Sequence, residues 1–171
     1  MIPGVERRAL IPHTDARGTL RELWRRSVQP IEVRQVLVTS SSPGALRGMH
    51  YHLRQADLCY VAPGRVFMAL IDLRSDPPVT EEFWLDGSAS LLIPPGVAHG
   101  YATEDGATVS YLLTEEVDGS DELGFRFDDP DAAIHWPIER PTVSARDLNA
   151  GTFAAAVAAV RAHFGGARGR S

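Results

Sequence analysis

The chain has 171 residues, 44% of them hydrophobic and 23% charged, and carries a formal net charge of −5. That length and mix predict a single globular domain over 1–171, large enough to bury a core without staples. The negative balance and the lack of a dense basic block argue against nucleic acid as a partner.

All 17 cationic side chains are arginines, which excludes any lysine Schiff base or lysine-assisted chemistry. Cys59 is the only cysteine; it lies in an apolar run and reads as a buried, inert thiol. No stretch has the apolar length of a signal peptide or a membrane span, so a cytoplasmic setting without a membrane partner is expected.

In chain order, the first 26 residues are mixed and charged, with a turn signal at Asp15-Ala16-Arg17-Gly18. Residues 31–39 (IEVRQVLVT) alternate apolar and polar with β-branched enrichment and predict a strand. Ser40 to Gly44 is a loop. Residues 57–61 and 65–73 predict two strands joined by a turn at Ala62-Pro63-Gly64. A Pro-rich connection over 75–79 leads to short strands at 82–85 and 89–93, where Asp86-Gly87 signals a hairpin. Pro94-Pro95-Gly96 then precedes strands at 97–103 and 108–113 around Glu104-Asp105-Gly106. Short strands at such regular spacing predict an all-β sandwich or barrel. The composition changes afterwards: 115–122 is acidic and loop-like, and 128–137 is rich in Asp, Pro and Trp. The Ala-rich segment 152–164 predicts a helix, and 165–171 a frayed tail.

Two punctuated motifs hold three of the six histidines: Arg47-Gly48-Met49-His50-Tyr51-His52 and Pro94-Pro95-Gly96-Val97-Ala98-His99-Gly100. Strand side chains alternate between faces, so His50 and His52 point the same way. Arg47 has the opposite parity and joins their face only if the strand bulges at Gly48. Two histidines on one face suit either a base with its neighbour or a pair of metal ligands. Asp57, Tyr111 and Asp147 are the other ionisable candidates, whereas Asp128-Asp129-Pro130 reads as a turn.

From about 15 to 147 the chain resembles the dTDP-4-dehydrorhamnose 3,5-epimerase family. The resemblance rests on Asp15-x-Arg17-Gly18, the segment Gln35–Ser41, Arg47-Gly48-Met49-His50-Tyr51, and Gln55, Gly64 and Asp72-Leu73-Arg74. It continues through residues 93–101, Tyr111, Asp128-Asp129-Pro130, Ile134-x-Trp136-Pro137 and Ser144-x-x-Asp147. It implies an all-β, cupin-type jelly roll (double-stranded β-helix) with a short C-terminal α-helix, and a homodimer whose N-terminal segment reaches the partner's pocket. The implied activity is epimerisation of a 4-keto-6-deoxy nucleotide sugar at C3, C5 or both, through an enolate and without a required cofactor. His50 would be the base, since imidazole titrates near neutrality. Asp147 would orient it, and Tyr111 would return the proton. Arg17, Gln35, Arg47, Gln55 and His99 would bind substrate.

Four positions depart from the family pattern: Leu37 for asparagine, His52 for a glutamine-like residue, Asp57 for lysine and Val117 for tyrosine. Loss of a preorganised oxyanion donor costs roughly 10²–10³ in rate, so Asp57 is the departure with the largest consequence. Two of the four fit another pattern. Gly44-x5-His50-x-His52-x4-Asp57-x6-Gly64, followed by Pro94-x-Gly96-x2-His99, resembles the metal-binding cupins, with Asp for their Glu. On that reading His50, His52, Asp57 and His99 would hold divalent Fe, Mn, Ni or Zn. The alternatives to an epimerase are thus a metal-dependent cupin enzyme acting on another enolisable or keto substrate, and a non-catalytic sugar-nucleotide binder.

Overall fold

The computed structural model describes residues 1–166. Of the tail expected over 165–171, positions 167–171 lie outside the described residues. Among the described residues no helix is long and apolar enough to cross a membrane.

The strands are β1 (Glu6–Ala9), β2 (Pro12–Asp15), β3 (Gly18–Arg21), β4 (Gln35–Ser41), β5 (Leu46–Tyr51) and β6 (Asp57–Asp72). They continue with β7 (Val79–Asp86), β8 (Ala89–Ile93), β9 (Val97–Ala102), β10 (Ala107–Leu113) and β11 (Leu123–Gly124). A 3-10 turn at Pro130–Ala132 and two helices, α1 (Ala145–Leu148) and α2 (Phe153–Gly165), complete the chain. All strand pairs are antiparallel, and β6 belongs to both layers. Its first half lies between β8 and β10, which extend to β1 and β4. Its second half lies between β7 and β9, and β9 leads on to β5 and β11.

This corrects two expectations. The Ala62-Pro63-Gly64 signal is a bulge inside one 16-residue strand and does not reverse the chain. Val109 pairs with Val61 while Ala107 pairs with Gly64, so β6 carries an extra residue there. The bulge switches parity: Cys59 and Val61 face the core before it, Val66, Met68 and Leu70 after it. Asp86-Gly87 is likewise a corner between layers, because β7 and β8 pair with different halves of β6 and not with each other. A local turn signal specifies a change of direction, not the strand that the chain meets next.

Two apolar clusters follow from this geometry. One fills the space between the layers and includes Cys59, whose thiol burial pushes up, making it as inert as its context predicts. The other lies between the outer face of the second layer (Met49, Ala69, Ile71, Ala98) and Ala156 and Val160 of α2. Thr152 caps that helix by accepting the Ala155 N–H at 3.2 Å. With α2 covering the outer face, β5, β6 and β9 are apolar outwards and free to carry polar side chains inwards.

Candidate active site

Register between β5 and β9 builds the first part of the site. Arg47 pairs with Tyr101 and His50 with His99, so three steps on β5 oppose two on β9. That bulge brings Arg47 onto the histidine face, as the sequence required. Gly48 makes it, with φ of 128° and so little room that a Cβ would lie 2.6 Å from Gly100 Cα. Gly48→Ala should therefore lower stability by roughly 1–3 kcal/mol or more and displace Arg47 and His50 together. Urea unfolding and activity measured on one sample would test this.

A cavity of about 190 Å³ opens between the layers, lined by Arg47, His50, His52, Gln55, Asp57, His99, Tyr101, Tyr111 and Glu122. Leu37 and Val117 also line it, so all four departures from the family pattern are wall residues.

His50 Nε2 lies 2.8 Å from Asp147 Oδ1. Ser144 caps α1 by accepting the Asp147 N–H at 3.1 Å, and Gly48 N–H reaches Asp147 Oδ2 at 3.3 Å. This is the local reason for the Ser144-x-x-Asp147 spacing: cap and carboxylate sit on one turn. Burial alone would raise the Asp147 pKa, but the His50 contact and the Gly48 and Ser144 hydrogen bonds hold it below the ordinary carboxylate value. A carboxylate only accepts, so the His50 nitrogen facing it carries hydrogen and Nδ1 is left to take a proton.

The linkage has a definite sign. A carboxyl depressed below its unfolded value of about 3.9 stabilises the fold above that pH, and this is lost as pH falls through the folded pKa. Asp147→Asn should be less stable than wild type at about pH 6, the gap closing below about pH 4. A urea series across that window measures it; a constant gap would refute the linkage.

Tyr111 stands on β10 in the layer opposite His50. Desolvation, with smaller effects of Tyr101, Cys59 and Asp57, pushes its phenol well above the ordinary value. It stays neutral and able to donate. Tyr101 shares an inward face with His99; its hydroxyl lies 2.8 Å from Ser41 Oγ, which also accepts Arg47 Nε–H at 3.0 Å.

Beside His50, Asp57 Oδ2 lies 3.3 Å from His99 Nε2 and 3.6 Å from His52 Nε2. All three residues are buried, and Gln55 Nε2 donates to Asp57 Oδ1 at 2.7 Å. Burial would raise the Asp57 pKa and lower that of His52, yet their mutual contacts win in both. Asp57 is held far below its usual range and His52 is raised. Beneath them, Asp121 accepts the N–H groups of Leu53, Arg54 and Gln55 at 2.8, 2.9 and 3.1 Å.

The structure sorts the candidates unevenly. His50, Tyr111, Arg47, Gln55 and His99 line the cavity. Asp147 meets it through His50. Arg17 does not reach it: it pairs with Asp15 at the exposed β2–β3 hairpin tip. The Gln35 side chain accepts the Val117 N–H at 2.7 Å and ties down a loop. His50 also stands outside the convergent ligand atoms, which belong to His52, Asp57 and His99 alone among the described residues. The reason is its tether to Asp147, so the four-ligand set becomes three. Asp121, Glu122, Ser41 and Tyr101 were not foreseen. Tyr101 had a signal in its alternate-residue spacing from His99, and Ser41 in closing the matched segment Gln35–Ser41.

Known proteins share the fold. A spore coat polysaccharide biosynthesis protein of Bacillus subtilis is 35% identical over 149 residues, covering 81% of this chain and 99% of that one. An epimerase of Mycobacterium tuberculosis superposes with a TM-score of 0.82 at 30% identity, covering 92% of this chain and 88% of its own. A 3'-monoepimerase of Streptomyces bikiniensis, in complex with dTDP-quinovose, gives 0.83 at 27% identity over 97% and 94%. Fold and neighbours define a cupin-type jelly-roll isomerase, a sugar-nucleotide epimerase. The chain belongs to the dTDP-4-dehydrorhamnose 3,5-epimerase family, which matches residues 1–155.

Proposed function

We propose that the cavity epimerises a 4-keto-6-deoxy sugar on a nucleoside diphosphate, at C3, C5 or both, with His50 as base and Tyr111 as acid. The observation that carries this is the placement of a carboxylate-backed imidazole and a neutral phenol on opposite layers of one cavity. A proton taken from one face of a planar enolate and returned to the other inverts the carbon. The 4-keto group acidifies the neighbouring C–H, and Asp147 stabilises the imidazolium formed at His50. At about 190 Å³ the cavity is smaller than the ~300–1,000 Å³ usual for ligand sites, which suits a sugar ring inside and a nucleotide along the mouth. Arg47 is exposed there and offers its guanidinium fork to the diphosphate.

The chemistry runs on side chains without a cofactor. A second reading adds a divalent metal beside the same acid–base set, favoured by the convergence of His52, Asp57 and His99. We further propose a cytoplasmic homodimer. Among the described residues the β2–β3 hairpin pairs only with itself, and Ile11, Leu20, Val36 and Val38 leave apolar surface on or beside it and on β4. A second copy would cover that surface and bring Arg17 to its partner's cavity mouth. The Bacillus relative's name suggests polysaccharide synthesis as the setting.

The test is incubation with a dTDP-linked 4-keto-6-deoxyhexose in heavy water, followed by NMR. Loss of the C3 or C5 proton signal is expected; retention of both would overturn the proposal.

A further inference from the structure

We infer that His52, Asp57 and His99 bind one divalent transition-metal cation of the imidazole-preferring class at the cavity wall, with open coordination positions towards the cavity. Binding rests on the geometry below. The part it would play in isomerisation rests on the reading above.

Hydrogen placement leads to this site. His52 Nδ1 lies 2.6 Å from the Asp121 carbonyl oxygen, which can only accept, so Nδ1 carries the hydrogen. Nε2 of the neutral ring then presents a lone pair towards Asp57 Oδ2. His99 has the same orientation, with Nδ1 3.4 Å from the Val97 carbonyl and Nε2 3.3 Å from Asp57 Oδ2. Two imidazole lone pairs and a carboxylate oxygen therefore converge, their ligand atoms all within 4.8 Å of one another. Gln55 offers partial relief: its amide donates to Asp57 Oδ1 and sits 3.3 Å from His52 Nε2. Asp57 Oδ2, the oxygen facing both rings, has only those two ring nitrogens, at 3.3 and 3.6 Å, as partners among the described side chains. A cation at that point meets all three lone pairs; a shared proton is the competing occupant.

The supporting shell is that of a metal site. Ligating histidines donate their second nitrogen to a carbonyl or carboxylate, which fixes the tautomer. Here the carbonyl that holds His52 belongs to Asp121, whose own carboxylate is anchored by three successive backbone N–H groups. Two nitrogens and one carboxylate oxygen, with no thiolate, suit Zn, Fe, Mn or Ni over Mg or Ca. Three protein ligands leave positions for water or a substrate oxygen. Arg47 also lines the cavity, and Glu122 Oε1 lies 3.7 Å from His52 Nδ1. With one carboxylate and two neutral rings as ligands, a divalent ion leaves one net positive charge where they meet. That charge would stand beside the enolate oxygen. His50 remains the base, separately tethered to Asp147, its ring centroid 6.4 Å from that of His99.

The experiment uses full-length, untagged protein, stripped with chelator and dialysed. Zn²⁺, Mn²⁺, Ni²⁺ or anaerobic Fe²⁺ is then supplied alone, and retained metal is read by plasma mass spectrometry after gel filtration. Wild type should retain close to one equivalent of at least one cation. Asp57→Asn and His99→Gln, each checked for fold by circular dichroism, should lose it. Asp121→Ala should weaken retention by about 10–100-fold. No stoichiometric retention by wild type overturns the site, as does equal retention by folded Asp57→Asn, which would mean adventitious binding. Should either variant fail to fold, the wild-type stoichiometry still decides. Heavy-water exchange on the loaded and stripped protein keeps the two readings apart. Metal retained with no exchange in either form sinks the isomerase assignment and leaves the site. Exchange by a protein that retains no metal sinks the site and leaves the isomerase.

Discussion

Replacing His50 by glutamine should slow proton exchange at the substrate carbon by about 10²–10⁴-fold while the barrel stays folded. His50 is only half-buried, and the ring contributes little to either apolar cluster. A glutamine amide places its nitrogen near the position of Nε2 and can still donate to Asp147, so the carboxylate keeps a partner and α1 keeps its place. What disappears is the nitrogen that accepts the proton. Loss of exchange with an unchanged urea midpoint would therefore report chemistry, not structure. A variant exchanging at close to the wild-type rate would remove His50 from the base role, and His99 would be the next histidine to test.

The sequence revealed the site's materials better than its wiring. Alternation over 31–39 and turn-bounded runs at 89–93, 97–103 and 108–113 predict strands, found at 35–41, 89–93, 97–102 and 107–113, and the jelly roll follows from their spacing and the resemblance. The histidine motifs were legible because glycine and proline punctuate them. Even the Gly48 bulge was legible, since Arg47 and His50 cannot share a face without it. The charged strand β1 was not legible, because ERRA is a strand only by virtue of pairing with β8. Nor could Asp86-Gly87 be told from a hairpin in sequence; in the structure Gly87 does not take the positive φ that a two-residue Asp-Gly hairpin turn uses.

The larger gap is Asp121. It stands in an acidic run that reads as solvated loop, 66 to 69 positions from the groups it holds. Only the fold shows that it sets the His52 tautomer. Asp57 gains its meaning the same way. Alone in the sequence it is a lysine replaced by the wrong charge. In the structure it arrives with two histidines and a glutamine, so its carboxylate is partnered and does not face the cavity as bare negative charge. Asp57 and His52 are two departures in sequence but one change in structure.

Tyr111→Phe should separate the halves of the reaction, because it removes a single hydroxyl from the layer opposite His50. On the proposed assignment, abstraction at the His50 face persists. The enolate still forms, but inversion loses its acid. Its proton then returns from the protonated His50 to the face it left, and in heavy water that proton is deuterium. The expected product is substrate labelled at the reacting carbon with its original configuration. Formation of the epimer should fall by about 10²–10⁴-fold and exchange by much less. The lost hydroxyl accepts or donates no hydrogen bond among the described side chains, so the fold has little reason to respond. NMR of the recovered sugar reads label and configuration together. If exchange and inversion fall equally, Tyr111 acts before the enolate forms, as a donor to the ketone oxygen. If neither falls, the returning proton comes from another group, and Tyr101, which lines the same cavity and is joined to Ser41, is the one the geometry offers.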